Sequence, residues 1–161
     1  MAAGSTYTPI ATTTLGSAQS SITFSSFSGY TDLVLVNNST CTINTQVIGC
    51  QYNNDTGTNY SKIYLLADGS TAFSGGNINE NYAVGGEAYN TLNTNIHYFF
   101  NYANTTTYKT AIVRSNNAGN RVGAWVNLWR NTAAITTIKI FPLSGSFDTG
   151  STFTLYGIAA A

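Results

Sequence analysis

The sequence predicts an all-β fold, a single-domain antiparallel β-sandwich of jelly-roll-like design spanning residues 1–161. Three observations carry that prediction. Apolar residues recur at period two in almost every apolar segment, the spacing of half-buried strands, and helical spacing is hard to find. Clusters of Gly, Asn and Asp separate these segments at short intervals, as in sandwiches and barrels. With 43% hydrophobic and 13% aromatic residues, a chain of this length can bury roughly 70% of its unfolded surface. It needs neither disulfides nor metals to hold a core.

The elements follow in order. Ile22 and Phe24 alternate with Thr23 and Ser25, a half-buried strand. Leu33-Val34-Leu35-Val36 has no polar interruption, so it reads as a strand covered on both faces. Ile43, Thr45 and Val47 alternate, and Ile48, Cys50 and Tyr52 continue in the other parity. That change of phase predicts a bulge near Val47-Ile48. Asn53 to Gly57 is a turn cluster, Tyr60 to Leu66 the next strand, and Asp68-Gly69 another turn.

From Ser74 to Asn95 the pattern fades into loops and short edge strands, with Gly75-Gly76 and Gly85-Gly86 read as flexible turns. Order returns where Ile96, Tyr98, Phe100 and Tyr102 share one face and Asn95, His97, Phe99 and Asn101 the other. Tyr108–Ser115, Val122–Arg130, Ile135–Phe141 and Thr152–Ile158 complete the set. The total is roughly eight to ten strands, suited to two packed sheets. No linker, charge block or repeat divides the chain.

Charge is scarce. Six basic and six acidic residues give a net charge of zero and a charged fraction of 7%, against about a quarter in an ordinary soluble domain. Thr, Asn, Ser and Gly make the polar surface instead. Without net charge there is little self-repulsion to keep copies apart. The catalytic repertoire is equally thin. His97 is the one histidine and lies in an aromatic strand, where a hydrogen-bonded structural role is expected. Asp32, Asp55, Asp68 and Asp148 sit at turns or strand starts, where Asp shapes backbone. With Glu80 and Glu87 they form no recognisable glycosidase pair. Metal-ligand spacings, nucleophile elbows and phosphate loops are absent. The sequence therefore predicts a non-enzyme without cofactor or metal.

Lys62, Lys109, Lys139, Arg114, Arg121 and Arg130 are dispersed and matched by acid, so nucleic acid is not an expected partner. No apolar run approaches the ~20 residues of a membrane helix. The first residues have neither a basic nor an apolar signal region, and manufacture in a cytoplasm is expected. Cys41 and Cys50 are then expected as buried free thiols.

One strand stands out as a candidate contact surface. In Val122–Arg130, Val122, Ala124, Val126 and Leu128 point one way and Trp125 and Trp129 the other. Both faces are apolar, so both are expected to be covered, one by the core and the other by a partner subunit, with a fully internal strand or carbohydrate stacking on the Trp pair as the alternatives. Trp125, Trp129 and Arg130 are the candidate interface residues, Trp being a common anchor.

Four stretches carry a resemblance: residues 7–16 (YTPIATTTLG), 53–61 (NNDTGTNYS), 101–110 (NYANTTTYKT) and the end, from LWRNTAAIT at 128–136 to GSTFTLYGI at 150–158. Together they resemble small virion proteins of tailed bacteriophages, cyanophages among them. The resemblance spans nearly the whole chain and implies a β-rich structural protein of the head or tail, with no catalytic motif. A compact chain without heptads or shaft repeats then implies a capsid cement protein. It would sit on the outer surface of the head as a symmetric homotrimer, with itself and the major capsid protein as partners. The alternative is a tail-fibre or receptor-binding domain whose aromatic side chains grip host glycans.

Overall fold

The computed structural model describes residues 6–44, 47–119 and 121–159. Twelve strands follow one another: β1 (Tyr7–Thr14), β2 (Ile22–Ser25), β3 (Asp32–Ser39), β4 (Ile48–Tyr52), β5 (Tyr60–Ala67), β6 (Ala72–Glu80), β7 (Ala83–Gly86), β8 (Asn93–Phe100), β9 (Lys109–Asn117), β10 (Arg121–Trp129), β11 (Thr137–Pro142) and β12 (Thr152–Ile158). There is no helix among the described residues. The strands form two antiparallel sheets, one of eight in the order β1-β12-β3-β8-β9-β10-β5-β6 and one of four in the order β2-β11-β4-β7. The fold is the all-β, jelly-roll-like sandwich that the period-two pattern predicts.

Alternation decides which side chains meet between the sheets. From the larger sheet come Leu33 and Leu35, Phe99, Ala111 and Val113, Trp125 and Trp129, Phe153 and Leu155. From the smaller come Ile22 and Phe24, Ile138 and Ile140, Ile48, Cys50 and Tyr52. Tyr52 is the hub, with the rings of Tyr60, Phe99 and Trp129 edge-on to it at 5.6–5.8 Å. Such geometry adds to the burial term.

One end of the interior is polar and heavily cross-linked. Asn95 donates to Asn37 (2.9 Å) and to the Glu87 carbonyl (3.1 Å), and its own Oδ1 accepts the Glu87 N–H at 3.0 Å. Asn93 donates to the carbonyls of Ser39, Tyr89 and Thr91. These amides satisfy the backbone of the β7–β8 connection, which would otherwise be buried without partners.

Several sequence expectations are corrected. The glycine pairs are not flexible turns but lie within strands β6 and β7. Gly86 has φ +112° and faces Asn95, whose side-chain amide would overlap any Cβ there. A side chain at this position would break the Asn95–Glu87 link. The patternless middle contains a nine-residue strand, β6, because an edge strand largely exposed on both faces has no core to impose alternation. Strand β1 carries no sequence signal either. It is also an exposed edge, and its pairing slips between Pro9 and Ala11, beside a residue without an N–H to donate. Ile43 and Val47 lie outside any strand and Thr45 outside the described residues. The irregularity falls one step later than expected, between Ile48 and Gly49 in the β4–β7 pairing. Tyr102 does not continue the β8 face. The strand ends at Phe100, and Tyr102 turns inward to meet the Phe27 ring at 5.6 Å.

Candidate assembly surface

Strand β10 has its two faces the opposite way round from the expected interface. Trp129 is 1% exposed and Trp125 4%, and both point between the sheets. The Trp129 indole N–H donates to the Asp55 carboxylate at 2.7 Å. Arg130 is engaged too: it donates to the Ser61 hydroxyl, to the Thr58 carbonyl at 2.9 Å and to Asn79 Oδ1 at 3.2 Å. It ties β10 to β5 and β6. The expected interface trio is thus structural, because the indoles bury more apolar area inside than the smaller side chains that alternate with them. Those smaller side chains, Val122, Ala124 and Val126, are the exposed ones.

They belong to a continuous open face. Cross-strand register places Val126 beside Ile63 and Ile112, Ala124 beside Leu65 and Arg114, and Val122 beside Asn116. Ile63 pairs with Gly76, and Ser61 with Ile78, at the β6 edge. On the other side Ile112 pairs with Tyr98 and Thr110 with Phe100. Ile63 is 68% exposed, Leu65 67% and Ile78 75%. A shallow depression of about 690 Å³ crosses this face, with Leu65, Val122, Ala124, Ile96 and Arg114 in its lining. Arg114 is the one charged residue on these central strands' outward positions, and neither ion pair among the described residues includes it.

Size follows from strand geometry. Four strands, β6, β5, β10 and β9, spaced at ~4.8 Å and about 27 Å long give this aliphatic face an area of roughly 500 Å². A stable interface takes about 800 Å² from each partner, so this face can supply more than half of one partner's share. A patch of this size is at the upper end of what monomeric surfaces leave open and is often functional.

The groups that could do chemistry are otherwise occupied. Asp55 accepts from Gly57, Asn59 and Trp129. Asp68 caps the β5–β6 turn through Ser70 and Thr71, Asp32 accepts the Asn101 N–H at 2.6 Å, and Asp148 the Thr149 N–H. Glu80 pairs with Lys62 at 3.8 Å and Glu87 with Arg121 at 3.0 Å. His97 is buried against Phe99, and burial lowers its pKa to about 4 despite a hydrogen bond with the Gly85 backbone. No group of three or more His, Cys, Asp or Glu residues that could hold a metal occurs among the described residues. Cys41 and Cys50 are unpaired and buried.

No family model matches the sequence, and neither does any curated protein. Solved structures resemble it distantly. An exo-inulinase from Aspergillus awamori is 12% identical with a TM-score of 0.37, the match covering 94% of this chain and 29% of the enzyme. The galectin LEC-6 of Caenorhabditis elegans is 12% identical with a TM-score of 0.35, over 89% of this chain and 94% of the galectin. A tail fiber protein of an E. coli phage is 13% identical with a TM-score of 0.31, over 84% of this chain and 16% of the fibre.

Proposed function

We propose that this chain is a non-enzymatic structural protein of a bacteriophage particle, a cement protein seated on the outside of the head through the open face of its eight-stranded sheet. The observation that carries the reading is that face: aliphatic across β6, β5, β10 and β9, large enough to form the apolar part of an interface, and nearly free of charge. The phage-like stretches supply the setting. The neutral composition supplies the energetic logic, since hydroxyls and amides cost far less to desolvate on association than ions do. Each aliphatic side chain covered contributes up to about 1.5–3 kcal/mol. A layer built this way holds without many ion pairs, and its attachment is insensitive to salt, because screening acts on charges. The major capsid protein is the partner in this reading. A symmetric homotrimer is the arrangement we propose for the bound protein.

Re-addition of purified protein to particles stripped of it tests the proposal. The natural chain is expected to rebind and to stay bound through a high-salt wash. Leu65→Asp and Val126→Asp should leave the fold intact, since both positions are exposed, and should abolish rebinding. Release by salt alone, or undiminished rebinding of both variants, would overturn the reading.

A further inference from the structure

The inner face of the β5–β6 end of the larger sheet extends past the smaller sheet and leaves a second concavity. It is a cleft of about 280 Å³ between the sheets, on the opposite side from the open face. Tyr64 and Trp125 supply aromatic surface to its lining, and Lys62, Asn77, Glu87 and Arg121 supply polar groups. We propose that this cleft is a binding site for a neutral saccharide unit.

Charge comes first. The charges here are internally matched: Glu87 lies 3.0 Å from Arg121, and Lys62 lies 3.8 Å from Glu80. Matched pairs leave no net field to select an anion or a cation, and they present alternating donors and acceptors. A ligand dense in uncharged hydroxyls fits that pattern.

The aromatic rings come next. Tyr64 lies across Gly75, where an added Cβ would come within 2.6 Å of its hydroxyl, and Trp125 lies across Gly123, where an added Cβ would collide with the indole. Both rings occupy seats that only glycine leaves open. Lys62 sits 4.6 Å from the centroid of the Tyr82 ring, and Arg121 5.6 Å from that of Phe73, so the cations are held against neighbouring rings. The partly exposed Tyr64 ring is the flat apolar surface on which the C–H face of a sugar ring can pack, with the buried Trp125 behind it, while the sugar hydroxyls reach the polar wall.

An unsatisfied group marks the site. Glu87 is 1% exposed, and its Oε2 has no hydrogen-bond partner among the described residues. Buried carboxylate oxygens are nearly always paired. Arg121 Nε, although 3.0 Å from Oε1, also lacks a well-directed hydrogen bond. A hydroxyl can give to the first and accept from the second, which makes it the complementary group.

The experiment uses the full chain labelled with ¹⁵N and titrated separately with maltose, cellobiose and lactose into the millimolar range, with galacturonic acid and an apolar peptide as comparators. At least one neutral disaccharide should shift the indole signal of Trp125 and leave that of Trp129, bonded to Asp55 in the core, unmoved. Glu87→Gln and Tyr64→Ala should each weaken the effect about tenfold or more. Tyr64→Ala alone decides if Glu87→Gln does not fold. No shift with any of the three, preference for the acidic sugar or the peptide, or indifference to both variants would overturn the proposal. None of these results bears on the open face, which lies on the other side of the sheet.

Discussion

The side-chain amide of Asn127 pairs with the backbone of Val84 as a neighbouring strand would. Its Oδ1 accepts the Val84 N–H at 2.9 Å, and its Nδ2 donates to the Val84 carbonyl at 3.0 Å. Val84 lies on β7, the edge of the smaller sheet, so a residue of the larger sheet closes an edge that would otherwise present unpaired backbone inside the molecule. Asn127→Leu leaves both Val84 groups buried without partners. It should cost about 2–4 kcal/mol, at roughly 1–3 for each orphaned group less the gain from the added apolar surface. Urea unfolding of the variant checks this; a loss below about 0.5 kcal/mol would contradict it.

Asp55 fastens the far end of the core. Partial burial pushes its pKa up, but hydrogen bonds from Trp129, Asn59 and Gly57 outweigh that and hold it below the ordinary value. The stabilisation from this lowered pKa is complete above the unfolded value, near 3.9, and fades as the pH falls through the folded value. Asp55→Ala should destabilise the protein by about 2 kcal/mol at neutral pH and by less in strong acid. Thermal melts at both pH values test the difference.

His97 gives a second, separate acid sensitivity. Burial lowers its pKa from 6.5 to about 4, while a hydrogen bond with Gly85 works the other way. The unfolded chain takes up a proton below pH 6.5 that the folded chain refuses, so stability falls between pH 6.5 and about 4 by roughly 3 kcal/mol. His97→Gln should flatten this part of the profile, measured as urea midpoints across the range. An unchanged slope would show that the imidazole is not the group responsible.

The cysteines should be inert. Burial raises the Cys41 thiol to about 11, with Asp148 adding to the effect, and burial pushes Cys50 higher still against a hydrogen bond with Tyr52. Neither forms appreciable thiolate at neutral pH, so alkylation of the native protein should be slow. Mass spectrometry after denaturation should count two free thiols. A count of zero would mean that they had formed a disulfide.

Legibility in the sequence tracks burial. Strands packed on the core announce themselves: Ile22–Ser25, Leu33–Val36, Ile96–Phe100, Lys109–Ser115 and Val122–Trp129 all lie in strands. Edge strands β1 and β6 carry no such signal, because both of their faces meet water and Thr, Gly and Asn serve there as well as any residue. Strand β10 is legible in its alternation but not in its orientation. Trp125 and Trp129 on one side and Val122 and Val126 on the other are both apolar sets, and only the packing of Trp129 against Tyr52 and Tyr60 decides which is inside. The Glu87–Arg121 pair is beyond sequence reasoning, since the two lie far apart in the chain and meet only because β7 packs back over β9 and β10.

Cryo-electron microscopy of particles carrying the protein tests the central claim most directly. The proposed function predicts high-copy density on the outside of the head, fitted by this sandwich with Leu65, Val122 and Val126 covered by neighbouring protein. Density confined to the tail, or a head-bound copy whose eight-stranded sheet turns this face to solvent, would contradict it.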